Sequence, residues 1–153
     1  MATASAHVGK HPIHPMLVVL PLGLWIAALA FDIVHAATGG AVWRTLAFWN
    51  IAAGIIGALL AAVPGFVDYL GLEGRARRIA TFHMVLNLGA VAVFAVNWYL
   101  RTRLAADSAW PLVLSVIGVV GVLVSGWLGG ELVYAERVGV EEPPRSERYR
   151  RVA

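Results

Sequence analysis

Four long apolar stretches decide what this chain can fold into. They cover about residues 16–37, 45–67, 83–100 and 108–134, and Thr45–Val67 and Ser108–Gly130 contain no charged residue. A helix needs roughly 20 apolar residues to cross the hydrocarbon of a bilayer. In lipid every backbone N–H and C=O must be satisfied by protein, which leaves helices and closed barrels as spanning structures. Barrel strands alternate apolar and polar residues, and the run from Ile55 to Val63 does not alternate. The expectation is therefore an all-α fold, a transmembrane four-helix bundle. Composition agrees, with 59% hydrophobic and 14% charged residues, against about 25% charged in soluble domains. The chain has no cysteine, which excludes disulfides, thiolate metal sites and covalent c-type haem attachment.

The organisation that follows is a short N-terminal segment, residues 1–15, a four-helix domain, residues 16–138, and a flexible basic tail, residues 139–153. A cleavable leader is disfavoured, because Met1–Gly9 has no Lys or Arg and the first apolar run exceeds a usual signal-peptide core. With four spans, the N-terminus, the loop between the second and third spans, and the tail share one side. That side holds Lys10, Arg75, Arg77, Arg78, Arg137, Arg145, Arg148, Arg150 and Arg151; the other holds Arg44, Arg101 and Arg103. The positive-inside rule then places both termini in the cytoplasm of a multi-pass protein.

An internal repeat relates the two halves. Trp49, Gly57 and Gly65 recur as Trp110, Gly118 and Gly126 at the same spacing, while His14 and Asp32 recur as His83 and Arg101. The pattern suggests two duplicated helical hairpins in parallel orientation.

Polar residues fall on helical stripes that should face protein, because polar groups at membrane depth are costly. His14, Val18, Pro21, Trp25, Ala28 and Asp32 form one stripe. His83, Asn87, Ala90, Phe94, Asn97 and Arg101 form another, and Asn50, Gly54, Gly57, Ala61, Pro64 and Asp68 a third. The last helix is expected to pack through Gly121, Ser125 and Gly129. The stripes sort into two layers about 27 Å apart, five helical turns. The outer layer holds Asp32, His35, Asn50, Asn97 and Arg101, with an Asp32–Arg101 ion pair expected as a structural clasp. The inner layer holds His11, His14, Asp68, His83 and Glu131, a candidate metal set. Histidine is a common haem ligand and needs an orienting partner, for which Asn87 or Asp68 is placed. The competing reading is a set of interfacial residues that cap helix ends.

Four motifs carry a resemblance. They are His11-Pro12-Ile13-His14-Pro15, with its helix running to Asp32; Gly65-Phe66-Val67-Asp68-Tyr69; His83 with Asn87; and Ser125-Gly126-Trp127-Leu128-Gly129-Gly130-Glu131-Leu132-Val133-Tyr134, then Arg137 to Val140. From about Val8 to Val140 the chain resembles the bacterial "domain of unknown function 2231" family of small membrane proteins. The resemblance implies four transmembrane helices in a bacterial cytoplasmic membrane, and no activity. Some relatives resemble fusions to Rieske-type or cytochrome c modules, which hints at electron transfer by association only.

Two functional readings follow. The first is a small membrane redox subunit that binds haem b, or a non-haem metal ion, through His14 and His83, with His11 as a rival ligand. The second is a cofactor-free accessory subunit packed against a larger respiratory or photosynthetic complex, or against a second copy. A soluble-substrate enzyme is disfavoured, since no nucleophile–base set or phosphate loop is present, and the basic tail is too short to argue for nucleic acid. The topology is testable with a reporter active only outside the cytoplasm. Fused to Ala153 it should stay silent, and strong activity would invert the orientation.

Overall fold

The computed structural model describes residues 6–8 and 11–140. Lys10 and the tail beyond Val140 lie outside them, and with these residues five of the nine charges behind the topology expectation. The described elements are β1 (His7–Val8), β2 (His11–Pro12), α1 (Ile13–Leu17), α2 (Val19–Thr38), α3 (Ala41–Leu70), α4 (Gly74–Arg101) and α5 (Trp110–Tyr134). β1 and β2 form a two-residue antiparallel pair. The rest is helix, and the all-α transmembrane bundle expected from the sequence is what the chain forms. Counting α1 and α2 as one span, four helices are long and apolar enough to cross a membrane.

Pro21 explains the break between α1 and α2. Its ring supplies no N–H and clashes with the carbonyl four residues back, at Leu17, where α1 ends. Gly39, in the left-handed region at φ 71°, closes α2 and turns the chain into α3. Gly74, at φ 58°, makes the corresponding turn into α4. The charged first turns of α4, with Arg75, Arg77 and Arg78, continue the helix well before the apolar stretch that starts at His83.

Around a few large residues, Trp25, Ile51 and Phe94, the bundle buries mostly small side chains and leaves many large ones outside. Ala28, Ala47, Ser115 and Ser125 are fully buried, whereas Trp49, Val63, Phe82 and Trp127 are exposed. Lipid removes the hydrophobic drive between helices, so association rests on close packing, which small residues permit. At the centre, Trp25 of α2 stacks on Phe94 of α4, with ring centroids 4.3 Å apart. Each ring lies over a glycine of its hairpin partner. A Cβ on Gly118 would stand 2.5 Å from the Phe94 ring, and one on Gly54 would collide with the Trp25 indole.

These contacts show a two-fold relation between the hairpins and correct its register. His14, Trp25 and Asp32 correspond to His83, Phe94 and Arg101, an offset of 69 (83 − 14, 94 − 25, 101 − 32). On the partner helices, Gly54, Ala61 and Gly65 play the parts of Gly118, Ser125 and Gly129, an offset of 64 (118 − 54, 125 − 61, 129 − 65). The alignment of Gly57 with Gly118 and Gly65 with Gly126 is therefore three residues out of step with the packing. Gly121 also differs from expectation, since nothing stands within 4 Å of a Cβ placed on it.

The glycine contacts lead to a direct test. Gly54→Ala and Gly118→Ala should each destabilise the detergent-solubilised protein by about 1–3 kcal/mol through overpacking. Gly121→Ala should stay within about 0.5 kcal/mol of wild type. Equal behaviour of all three in an unfolding titration would contradict the packing described.

Candidate functional site

The inner layer is built from two imidazoles that face each other across the bundle. His14 sits in the first turn of the chain's first helix, and its Nδ1 lies 2.8 Å from the carbonyl oxygen of Ala61 in α3. Pro64 removes an N–H from the helical ladder beside that carbonyl. His83 of α4 repeats the arrangement, with Nδ1 2.8 Å from the carbonyl oxygen of Ser125 in α5. A carbonyl only accepts, so each Nδ1 donates, and Nε2 is the ring nitrogen that the carbonyl bond leaves free. The two ring centroids are 6.2 Å apart and the ring planes cross at 88°. Gly65 and Gly129 make the room, because a Cβ on Gly65 would stand 2.6 Å from His14 and one on Gly129 3.3 Å from His83. Asn87, one turn beyond His83, donates from Nδ2 to His83 Nε2 at 3.0 Å and to the His83 carbonyl at 2.9 Å.

The other three candidates of this layer do not join this pair. The Asp68 carboxylate accepts the backbone N–H of Ala6 at 2.9 Å. Glu131 pairs with Arg75 at 2.8 Å, and Arg75 also reaches Glu136 at 3.4 Å. His11 lies exposed in β2. Among the described residues no group of three or more His, Asp or Glu side chains is assembled around one point. Of the five, the structure brings His14 and His83 together.

The outer layer is a closed polar network. Arg101 of α4 grips Asp32 of α2 with two parallel bonds, Nη1 to Oδ1 at 2.8 Å and Nη2 to Oδ2 at 2.6 Å. Both residues are almost fully buried. Ser115 of α5 donates to Asp32 Oδ2 at 2.6 Å. Asn97 accepts from Arg101 Nε at 3.0 Å and donates to Ser115 Oγ and the Pro111 carbonyl. Arg44 of α3 donates to the backbone carbonyls of Arg101 and Leu104. His35 bridges the two outer loops, its ring nitrogens 3.1 Å from the Gly40 carbonyl and 3.2 Å from that of Ala106. A cavity of about 420 Å³ opens above the ion pair, between His35, Arg44, Asp107 and Leu112. Asn50 stays out of the network and donates to the carbonyl of Leu46 in its own helix.

Ser115 escapes the sequence reading altogether, and Ser125 is expected there only as a small packing residue. Ser115 supplies a hydroxyl to the ion pair, and Ser125 supplies the carbonyl that holds His83. The available signal is that both are hydroxyl residues inside an otherwise apolar uncharged stretch, where a polar group asks for a partner.

The network sets up a double-mutant cycle. Asp32→Ala or Arg101→Ala alone strands a buried charge and should cost about 3–5 kcal/mol. The double change should cost clearly less than the sum, and additive losses would mean that the two charges are not coupled.

No curated protein and no solved structure matches the chain. Residues 10–142 match the family described as "Predicted membrane protein", the domain of unknown function 2231, and the chain belongs to that family.

Proposed function

We propose that this protein is a small membrane redox subunit that holds haem b between His14 and His83, near the cytoplasmic end of the bundle. The observation that carries the reading is the pair of opposed imidazoles, each with Nδ1 bound to a backbone carbonyl. A metal-ligating histidine almost always donates its second ring nitrogen in this way, which fixes the tautomer and aims the other nitrogen. Two imidazoles sharing one metal at about 2.0–2.1 Å per nitrogen bring their ring centres to roughly 6 Å, close to the 6.2 Å between His14 and His83.

The donor set favours haem over a bare ion. Zinc asks for four ligands, or three and a water, and the described residues supply two here. A tetrapyrrole would bring four nitrogens of its own and would ask the protein for one or two more, which His14 and His83 would supply. Iron held so supplies one-electron chemistry. The protein's part is to fix the two imidazoles, a task done here by Ala61, Ser125 and the glycines beside the rings.

One observation favours the alternative, a cofactor-free accessory subunit. The Nδ1 bonds of His14 and His83 already staple α1 to α3 and α4 to α5 without any metal. An optical spectrum separates the two. Protein expressed with haem supplied should give a reduced-minus-oxidised spectrum of b type. His14→Ala and His83→Ala should each remove that signal or leave five-coordinate iron. Wild-type protein without haem absorption and without a stoichiometric metal would leave the accessory reading standing.

A further inference from the structure

The cavity of about 420 Å³ at the outer end of the bundle is lined by charges of both signs. Its floor is neutral, because Arg101 and Asp32 answer each other with two parallel bonds, and Asn97 and Ser115 complete the network. His35 frames it, with both ring nitrogens turned to loop carbonyls. Two further charges on the wall are not answered in this way. Arg44 is half-buried and spends Nη2 on the carbonyls of Arg101 and Leu104. Its Nε and Nη1 make no hydrogen bond, and it forms no ion pair, among the described residues. The exposed carboxylate of Asp107, on the loop into α5, has no hydrogen bond or ion pair among them either. Arg44 and Asp107 thus line one cavity without pairing with each other. The cavity is of a size that holds small ligands, roughly 300–1,000 Å³. It lies where the spans end, between the last turns of α2 and α4 and the first turns of α3 and α5. Helix ends of a spanning bundle meet the lipid headgroups, and the exposed Tyr99 and Trp110 suit that level.

We propose that this cavity binds a small zwitterion, with its oxyanion on Arg44 and its ammonium on Asp107. An aminoethyl phosphate, free or as the headgroup of a phospholipid, has that chemistry. The inference is independent of the haem reading, which concerns the other end of the bundle. A guanidinium suits a phosphate or carboxylate, and such a charge-assisted bond is about twice as strong as a neutral one. A simple anion would answer Arg44 and place a like charge in the cavity with Asp107; a simple cation would do the same with Arg44. A zwitterion answers both and leaves the neutral floor undisturbed. Asp107 is solvated, so its contact contributes the smaller share. Both residues also have local duties, since Arg44 holds the carbonyl end of α4 and Asp107 brings negative charge close to the N-terminus of α5.

The experiment uses the full chain in detergent and reads ligand binding by native mass spectrometry. Two pairs of probes differ in the ammonium group. One pair is phosphatidylethanolamine and phosphatidylglycerol, and the other is free phosphoethanolamine and glycerol 3-phosphate. Wild type should favour the ammonium-bearing member by about fivefold, the upper worth of an exposed ion pair. Asp107→Asn should erase that preference without weakening the member that lacks the ammonium. Arg44→Gln should weaken both members by about tenfold, and Arg44→Lys should recover most of the loss. Residues with local duties alone would shift the melting temperature and leave the preference unmoved. A preference in the lipid pair makes the headgroup the ligand, and one in the soluble pair alone makes it a free zwitterion. A preference in neither pair, or one that survives Asp107→Asn, overturns the inference. Binding that Arg44→Gln leaves intact overturns it as well.

Discussion

The ion pair between Asp32 and Arg101 is the interaction on which the bundle depends. Charges in hydrocarbon persist only when paired and fully hydrogen-bonded. Here the two carboxylate oxygens and the guanidinium are met by each other, by Ser115 and by Asn97, and no buried side-chain nitrogen or oxygen is left without a partner among the described residues. Asp32 and Arg101 belong to helices on opposite corners, so the pair ties one hairpin to the other across the diagonal. Ser115 adds the fourth helix's share, and Arg44 holds the carbonyl end of α4 from α3. A slip of either hairpin along its axis would break several of these bonds together, which is why one polar layer can set the register of four apolar helices.

With register fixed, the remaining layers are problems of close approach. Trp25 and Phe94 fill the centre because Gly54 and Gly118 leave the space that a Cβ would take. His14 and His83 fill the inner end beside Gly65 and Gly129 by the same device. In lipid this packing provides most of the affinity between helices, so the glycines opposite the rings matter more than the large aliphatic side chains, most of which face outward. The exposed Trp49 and Trp127 belong to that outer surface, where lipid or another membrane protein meets the bundle.

The spans are legible in the sequence because a run of about 20 apolar residues has few other fates. The facing stripes of the first and third spans are legible as well, since polar and aromatic residues recur there at helical spacing, and Pro21, Trp25, Ala28, Asp32, Ala90, Phe94, Asn97 and Arg101 are all buried. The second and fourth spans are harder to read. Glycine recurs so often in them that several alignments look equally good, and only contact with a facing side chain, Trp25 for Gly54 and Pro21 for Gly57, tells a packing glycine from a lipid-facing one. Gly57 with Gly118 satisfies the spacing, but Gly54 with Gly118 satisfies the packing. The inner cluster misleads for another reason. Asp68 and Glu131 are ligand types near helix ends, where donors distant in the chain, the Ala6 N–H and Arg75, claim them, and sequence spacing carries no record of such long-range partners.

The symmetry also locates where chemistry can enter. Along the axis the paired residues run from like to unlike: His14 with His83, Trp25 with Phe94, Asp32 with Arg101. Two identical carboxylates in the buried outer layer would repel each other and two guanidiniums would do the same, so that layer has to be unlike for the bundle to close. At the inner end no such demand exists. Two histidines tied to carbonyls are as stable alike as unlike, and the position that Asn87 takes on the second hairpin is held by Val18 on the first. The amide of Asn87 is therefore an asymmetry between the hairpins, and it falls on His83 Nε2. A difference that packing leaves unexplained, placed on a ligand-type atom, is where a functional constraint is to be sought.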